Sequence, residues 1–485
     1  MIDLTVREEG LKHNIERARA RGVLLPTFAQ MRDPGLIPEE IREKLKKTGL
    51  WDLDPVNLFR INWHNEPKEQ GGLFGAPNVL EFPSALTGVP CRIFALVGKW
   101  FPTGCHKVGA SIGCLLPELV TGRFDASVQK AVWPSTGNFC RGGAFNSRLL
   151  GVPSIGLMPA GMSRERFEWL RPIGAEVVTT PGKESNVKGV FDKTVELAAD
   201  PRNTVFNQFS MMGNHLWHYA VTAEAMLAAF ENLHRPGDRF SGACFMTGSA
   251  GTIGAGDRLK EVWPRLQLGA GEALQCPTML TGGYGVHRLE GTGDNHVPWI
   301  HNVRNTDMVI GVDDGDALGL LRLFNEPEGR KFLEAELGLS PKWTAQLSLL
   351  GISGISNLIC CIKMAKYYEF GPSDVIATVL TDSVDLYLSR LEELRQKEGA
   401  YGPMQAAAGR AGHLAALNTE GMEELGYRGR RRVHNLKYYT WVEQRGMSVK
   451  ELDEQWYGTV FEDVHGQTAD IDKLIEAFNA AVLRG

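Results

Sequence analysis

A chain of 485 residues, 43% hydrophobic and 22% charged, is too long for one small core and ordinary for a folded globular protein. Its formal net charge of −5 argues against a nucleic-acid footprint, and no apolar run reaches the length of a membrane-spanning helix. The eight cysteines form no Cys-x-x-Cys pair, and no Cys/His spacing matches a zinc site, so no metal is expected and free thiols in a reducing cytoplasm are. The opening Met1-Ile2-Asp3-Leu4 lacks the apolar core of a signal peptide.

Residues 1–56 read as a polar, helical N-terminal extension. Pro38 with Glu39 and Glu40 marks a helix start ahead of Ile41–Leu45. From about 57 to 392 short apolar runs alternate with helical stretches. Arg92–Val97, Gln129–Trp133, Ser154–Met158, Glu176–Thr180, Ala243–Thr247, Met308–Val312 and Val375–Leu380 read as buried strands, several followed by Gly, Ser or Thr and then a helix. That order predicts an α/β core with mostly parallel sheets. Ligands of such sheets bind beyond the carboxyl ends of the strands. Residues 393–485 predict three or four helices as a C-terminal extension. The one basic run, Arg428–Arg432, reads as a solvated surface or a subunit contact.

Four loops follow these strands. The first carries Lys107 in Pro102-Thr103-Gly104-Cys105-His106-Lys107, among small and apolar residues. Desolvation lowers a lysine pKa and makes the amine a nucleophile and base, the setting a Schiff-base lysine needs. A lysine snorkelling from a loop is the plain alternative. The second loop, Pro134-Ser135-Thr136-Gly137-Asn138, sets hydroxyls and backbone N–H groups at a helix start, which suits a carboxylate. The third, Thr247-Gly248-Ser249-Ala250-Gly251-Thr252, lets the backbone wrap an anion, although it is neither a Walker loop nor G-x-G-x-x-G. The fourth, Thr381-Asp382-Ser383, offers a hydroxyl that can face a ring nitrogen without protonating it. Each of these three also reads as an ordinary turn with an N-cap.

Taken in order, these segments resemble the fold-type II pyridoxal-phosphate enzymes of the tryptophan synthase β superfamily, most closely the cysteine synthase and cystathionine β-synthase group. Further matches are Met158-Pro159 with Ser163, Glu165 and Arg166, then Gly174-Ala175-Glu176-Val177, Asn207-Gln208-Phe209 with His218-Tyr219, Glu290-Gly291-Thr292-Gly293 and Gly351-Ile352-Ser353-Gly354. The resemblance spans about 57–392. It implies two parallel-sheet, Rossmann-like three-layer domains, with a mobile small domain at about 108–205, and pyridoxal 5'-phosphate as cofactor. It implies that Lys107 carries the cofactor and later moves the Cα proton. Gly248, Ser249, Ala250, Gly251 and Thr252 would hold the phosphate, Asn138 the ring oxygen and Ser383 the ring nitrogen. Ser135, Thr136, Gly137, Asn138 and Gln208 would seat the substrate carboxylate.

The expected activity is β-elimination or β-replacement on a small amino acid, sulfur-related, with a thiol as co-substrate, because a serine partner for the ring limits electron withdrawal. Threonine-synthase-like or ammonia-lyase chemistry and thiol addition to an acrylate-like acceptor are alternatives, as is a non-catalytic ligand-binding subunit. A cytoplasmic homodimer without nucleic-acid or membrane partners is expected. The pattern departs in four places. Val108-Gly109 follows the lysine where Asp-Arg is usual, Phe139-Cys140 replaces Thr-Gly, Ala250 replaces glycine, and an insertion runs over about 325–349. Cys105, Cys140 and His106 read as packing residues rather than catalytic groups.

Overall fold

In the computed structural model, which describes residues 1–69, 71–182 and 187–484, two sheets carry the chain. The larger is ordered β1 (Val79–Phe82), β2 (Arg92–Val97), β10 (Asp374–Leu380), β7 (Arg239–Met246), β8 (Gln267–Ala273), β9 (Met308–Val312) and β11 (Met422–Glu424). Its inner pairs are parallel, and β1 and β11 close the two edges antiparallel. The smaller sheet is all parallel, ordered β5 (Glu176–Thr180), β4 (Ser154–Pro159), β3 (Lys130–Pro134) and β6 (Asn203–Val205). Every residue of β9 and β10 is buried, as expected of parallel strands covered on both faces.

All seven strands read from the sequence are present, with ends moved by up to four residues. Four others were not legible. β1, β6 and β11 are three or four residues long. β8 is Gln-Leu-Gly-Ala-Gly-Glu-Ala, whose glycines hide its apolar pattern. Those glycines are there for packing. A Cβ on Gly271 would lie 2.4 Å from Met246 Sδ, and one on Gly269 would lie 2.8 Å from Met364 in the helix Ile352–Tyr367 laid across the sheet.

The C-terminal region is less purely helical than expected. It holds five α-helices beyond residue 400 and contributes β11 to the large sheet. The arginine run lies on the helix Tyr427–Asn435 and clamps it inward instead of lying free in solvent. Arg430 pairs with Asp307 at 2.6 Å, Arg432 with Glu423 at 2.5 Å, and Arg431 lies over the Trp456 ring at 5.1 Å. The two ends of the chain also meet. Ile2 N donates to Gln467 Oε1 at 2.8 Å, and Asn479 Nδ2 donates to Leu25 O at 2.8 Å. The 325–349 segment folds as the helices Pro327–Leu337 and Pro341–Thr344 with a 3-10 turn. Among the described residues no single helix is long and apolar enough to cross a membrane.

Candidate active site

The carboxyl ends of β2, β3, β7 and β10 deliver the four loops to one cleft. One lobe is lined by Ser135, Thr136, Asn138, Gln208 and Asp294, the other by Ser249, Ala250, Gly251 and Thr252. Lys107, Gly248, Ser249, Gly291 and Thr381 line both lobes. A roomier cleft of about 370 Å³ near Met1, Met211 and Gln455 carries none of these residues.

Lys107 opens the helix Lys107–Val120 and stands where the lobes join. Its Nζ donates to Gln208 Oε1 at 3.1 Å and to Ser249 Oγ at 3.0 Å. The helix can approach so closely because Gly109 and Gly113 have no side chains. A Cβ on Gly109 would fall 2.1 Å from Trp217 Cζ2, and one on Gly113 would fall 2.4 Å from Gly213 O. The buried indole of Trp217 thus explains why glycine stands at 109, where the resembling family carries arginine.

The loop at 248–252 has the donor geometry that an anion would need. None of its five consecutive backbone N–H groups finds an acceptor among the described residues, and it opens the ten-residue helix Ile253–Val262. Ala250 sits there at φ +58°, a left-handed conformation that glycine adopts freely. A phosphate group fits this donor set. Ala250→Gly should raise the denaturant midpoint by the equivalent of about 0.5–1 kcal/mol, the left-handed penalty less the chain entropy of glycine.

In the other lobe Gly137, at φ +147°, presses its backbone against Arg166, and Ser135 Oγ accepts from Gly137 N at 3.1 Å. Asn138 donates its amide to Asp382 Oδ2 at 2.6 Å, while its own Oδ1, buried, has no partner among the described residues. Ser383 is buried beside the cleft but does not line either lobe. Its hydroxyl donates to Asp385 at 3.0 Å, and Thr381 and Ser353 line the wall instead. Ser353 Oγ is buried without a partner among the described residues.

Three groups next to the motifs are chemically quiet. Burial pushes the Cys105 and Cys140 thiols up to about 12, far from thiolate formation at neutral pH. Burial, then the Lys107 charge, drives His106 down to about 3, so it stays neutral. The Phe139 ring packs edge-on against Trp133, its centroid 5.5 Å away, and the residue also lines the cleft.

Two residues carried no assigned role in the sequence reading. Asp294 lines the cleft with Lys107. Burial raises its carboxyl to about 7 and the Lys107 charge pulls the other way, although one face stays open to the cleft. Arg166, fully buried, spans the lobe. It donates to Thr136 O at 2.9 Å and Tyr387 OH at 3.0 Å, and pairs with Glu290 at 3.0 Å. Tyr387 OH donates in turn to Asp382 Oδ2 at 2.9 Å. Arg166 belongs to a recognisable motif, whereas Asp294 sits in the irregular stretch after Gly282 and has no sequence signal of its own.

Residues 85–330 match the family model described as "Pyridoxal-phosphate dependent enzyme". A probable cysteine synthase of Bacillus subtilis (strain 168) is 32% identical over 258 residues, 53% of this chain and 75% of that protein. A cysteine synthase of Staphylococcus aureus (strain Mu50 / ATCC 700699) is 30% identical over 259 residues, 53% of this chain and 75% of that one. Among solved structures, a variant of a hydrogen sulfide-producing enzyme of Fusobacterium nucleatum is 27% identical with a TM-score of 0.53, covering 62% of this chain and 83% of its own. An O-acetylserine-dependent cystathionine β-synthase of Helicobacter pylori is 23% identical with a TM-score of 0.54, covering 65% and 95%, and shares the fold. Family match, curated relatives and cleft agree: the chain belongs to the pyridoxal-phosphate dependent enzymes.

Proposed function

We propose that this chain catalyses β-replacement on a small amino acid with a sulfur nucleophile. The observation that carries the reading is the position of Lys107 Nζ, held by Gln208 and Ser249 between an anion cradle and a second lobe of hydroxyls and helix-start N–H groups. In this reading the 248–252 loop holds the cofactor phosphate, and Ser135 to Asn138 with Gln208 hold the substrate carboxylate. Ser383 would serve the ring nitrogen, for which its hydroxyl, now donating to Asp385, would have to turn. Ser353 and Thr381 already line the wall. Pyridoxal phosphate, when bound, supplies the electron sink for charge developing at the substrate Cα. Lys107 takes the Cα proton, and Gln208 and Ser249 keep the amine aimed into the lobe.

Asp294, which lines the same lobe as the hydroxyl loop, would act on the leaving group of the substrate. A carboxyl titrating near 7 is largely protonated below that pH and can give a proton to the group departing from Cβ. The wild-type rate of the first half-reaction should therefore fall as pH rises through about 7. Asp294→Asn should lose that falling limb and run about 10²-fold slower at pH 6 with a poor leaving group. A pH–rate profile that keeps the limb in the variant would remove Asp294 from this role.

The sulfur assignment is supported by the names of the relatives, two cysteine synthases and a hydrogen sulfide-producing enzyme. The test is a spectral and product screen of the purified enzyme. O-acetylserine, serine and cysteine are added with and without sulfide, and the bound cofactor's visible absorption and cysteine formation are followed. If no β-substituted amino acid shifts the absorption, the proposal fails. We also expect a homodimer, since Tyr427, Tyr439 and Tyr457 leave aromatic surface exposed on the C-terminal helices.

A further inference from the structure

About 250 positions separate His215 from His465, yet their Nε2 atoms lie 2.9 Å apart. Asp257 Oδ2 completes the triangle, 3.4 Å from His215 Nε2 and 3.8 Å from His465 Nε2. His215 belongs to the helix Met212–Trp217, Asp257 to the helix Ile253–Val262 and His465 to the C-terminal helix Val460–Gly466. A tetrahedral ion with bonds of about 2.0–2.1 Å holds its ligand atoms about 3.4 Å apart, which is close to the mean of these three edges. We propose that His215, Asp257 and His465 bind a divalent transition-metal ion, Zn²⁺ being the expected occupant, and that the ion fastens the C-terminal region to the elements behind the phosphate cradle.

The surroundings are those of a built site. Asp257 is buried and its carboxylate is oriented from both sides: Asn302 Nδ2 donates to Oδ2 at 2.9 Å and Asn305 Nδ2 to Oδ1 at 2.7 Å. Such outer contacts fix a ligand's direction and tune its affinity. The His465 ring is stacked on Tyr219 at 3.7 Å, and its Nδ1 lies 3.9 Å from Glu261 Oε1, a carboxylate that accepts from Tyr219 OH. Two imidazoles and one carboxylate suit Zn²⁺ better than Mg²⁺ or Ca²⁺, which prefer all-oxygen shells. Asp257 and His465 also border a surface cavity of about 380 Å³, so a water can take the fourth position.

The place in the fold gives the ion a consequence. Next to His215, Asn214 donates to Ser249 Oγ at 3.1 Å and to Gln208 O at 2.9 Å, the two residues that hold Lys107. Asp257 lies in the helix that begins at the cradle. An ion here would tie Val460–Gly466 to both supports at once. His465 lies outside the region matched by the family, residues 85–330, so this is a property of the chain's own C-terminal part.

The test uses the purified holoenzyme, treated with a chelator and then titrated with Zn²⁺ by calorimetry, with metal content measured after gel filtration. The wild type should bind one Zn²⁺ per chain, and its thermal midpoint should rise by a few degrees with the metal. His465→Ala and the near-isosteric Asp257→Asn should each bind at least about tenfold more weakly and lose that rise. Circular dichroism of the metal-free forms checks that both variants are folded. If the wild type binds Zn²⁺ no better than the two variants, the proposal is overturned. The 2.9 Å contact is then an imidazole–imidazole hydrogen bond, with one Nε2–H donating to the other ring.

Discussion

Lys107→Ala should abolish the visible absorption that the bound cofactor owes to its bond with this lysine, and should slow turnover by at least about 10³-fold. No other amine stands in the cleft to replace it. Of the residues lining the two lobes, Lys107 is the one that carries a primary amine. The nearby guanidiniums of Arg141 and Arg166 are poor bases, although burial lowers Arg141 to about 10. The lysine's partners predict a graded series. Ser249→Ala removes an acceptor for Nζ and also the hydroxyl that receives Asn214, so it should weaken cofactor retention as well as rate. Gln208→Glu places a carboxylate 3.1 Å from the amine and favours its protonated form, so the rising limb of the pH–rate profile should move to higher pH. Rescue separates chemistry from packing. A small primary amine added to the Lys107→Ala protein should restore part of the proton transfer. A lysine that was only structural would not be rescued, and a variant with undiminished turnover would sink the assignment.

What could be read from the sequence was whatever obeys local rules. The loops at 248–252 and 134–138 were legible as strand-to-helix junctions because a strand must end and a helix must begin within a few residues. Small residues at such a junction have little other use. Lys107 was legible because a lone charge among glycine, threonine and alanine stands out. β8 was not, because its glycines serve a helix that lies about 90 positions further along the chain. Asp294 was not, because it comes to the cleft of Lys107 on a loop with no regular structure. The hydroxyl of Ser383 turned to Asp385 because a carboxylate two residues away outcompetes an open cleft. The His215–Asp257–His465 triangle has no spacing that a motif could record. It exists only because the C-terminal helices fold back onto the catalytic core.

Arg166 is where the site and the stability of the fold meet, and Arg166→Met should cost about 3–5 kcal/mol, since removing one member of a buried ion pair strands the other. Four groups are affected, the Tyr387 hydroxyl among them because it loses a donor. Glu290 keeps its contact with Arg390 at 2.5 Å, so it is not stranded altogether. Of the two arginines, Asp382 would keep only the weaker influence of Arg141. Burial already raises its carboxyl, and Arg166 is the largest influence holding it down. Without the guanidinium Asp382 should take up a proton at higher pH, and its hydrogen bonds from Asn138 and Tyr387 should weaken with the lost charge. Thr136 O loses its donor, and the loop expected to seat the substrate carboxylate loses its brace. The kinetic signature should therefore fall on KM for the amino acid more than on kcat. A loss of 3–5 kcal/mol is a large share of the roughly 5–15 kcal/mol that holds a typical domain together, so this variant can be partly unfolded at 37 °C. Arg166→Lys keeps the charge and isolates the geometry. One ammonium cannot reach Thr136 O, Tyr387 OH and Glu290 in the arginine's planar arrangement, so KM should still rise while most of the stability returns. If both variants unfold at the wild-type denaturant midpoint with unchanged KM, Arg166 is neither brace nor counter-charge.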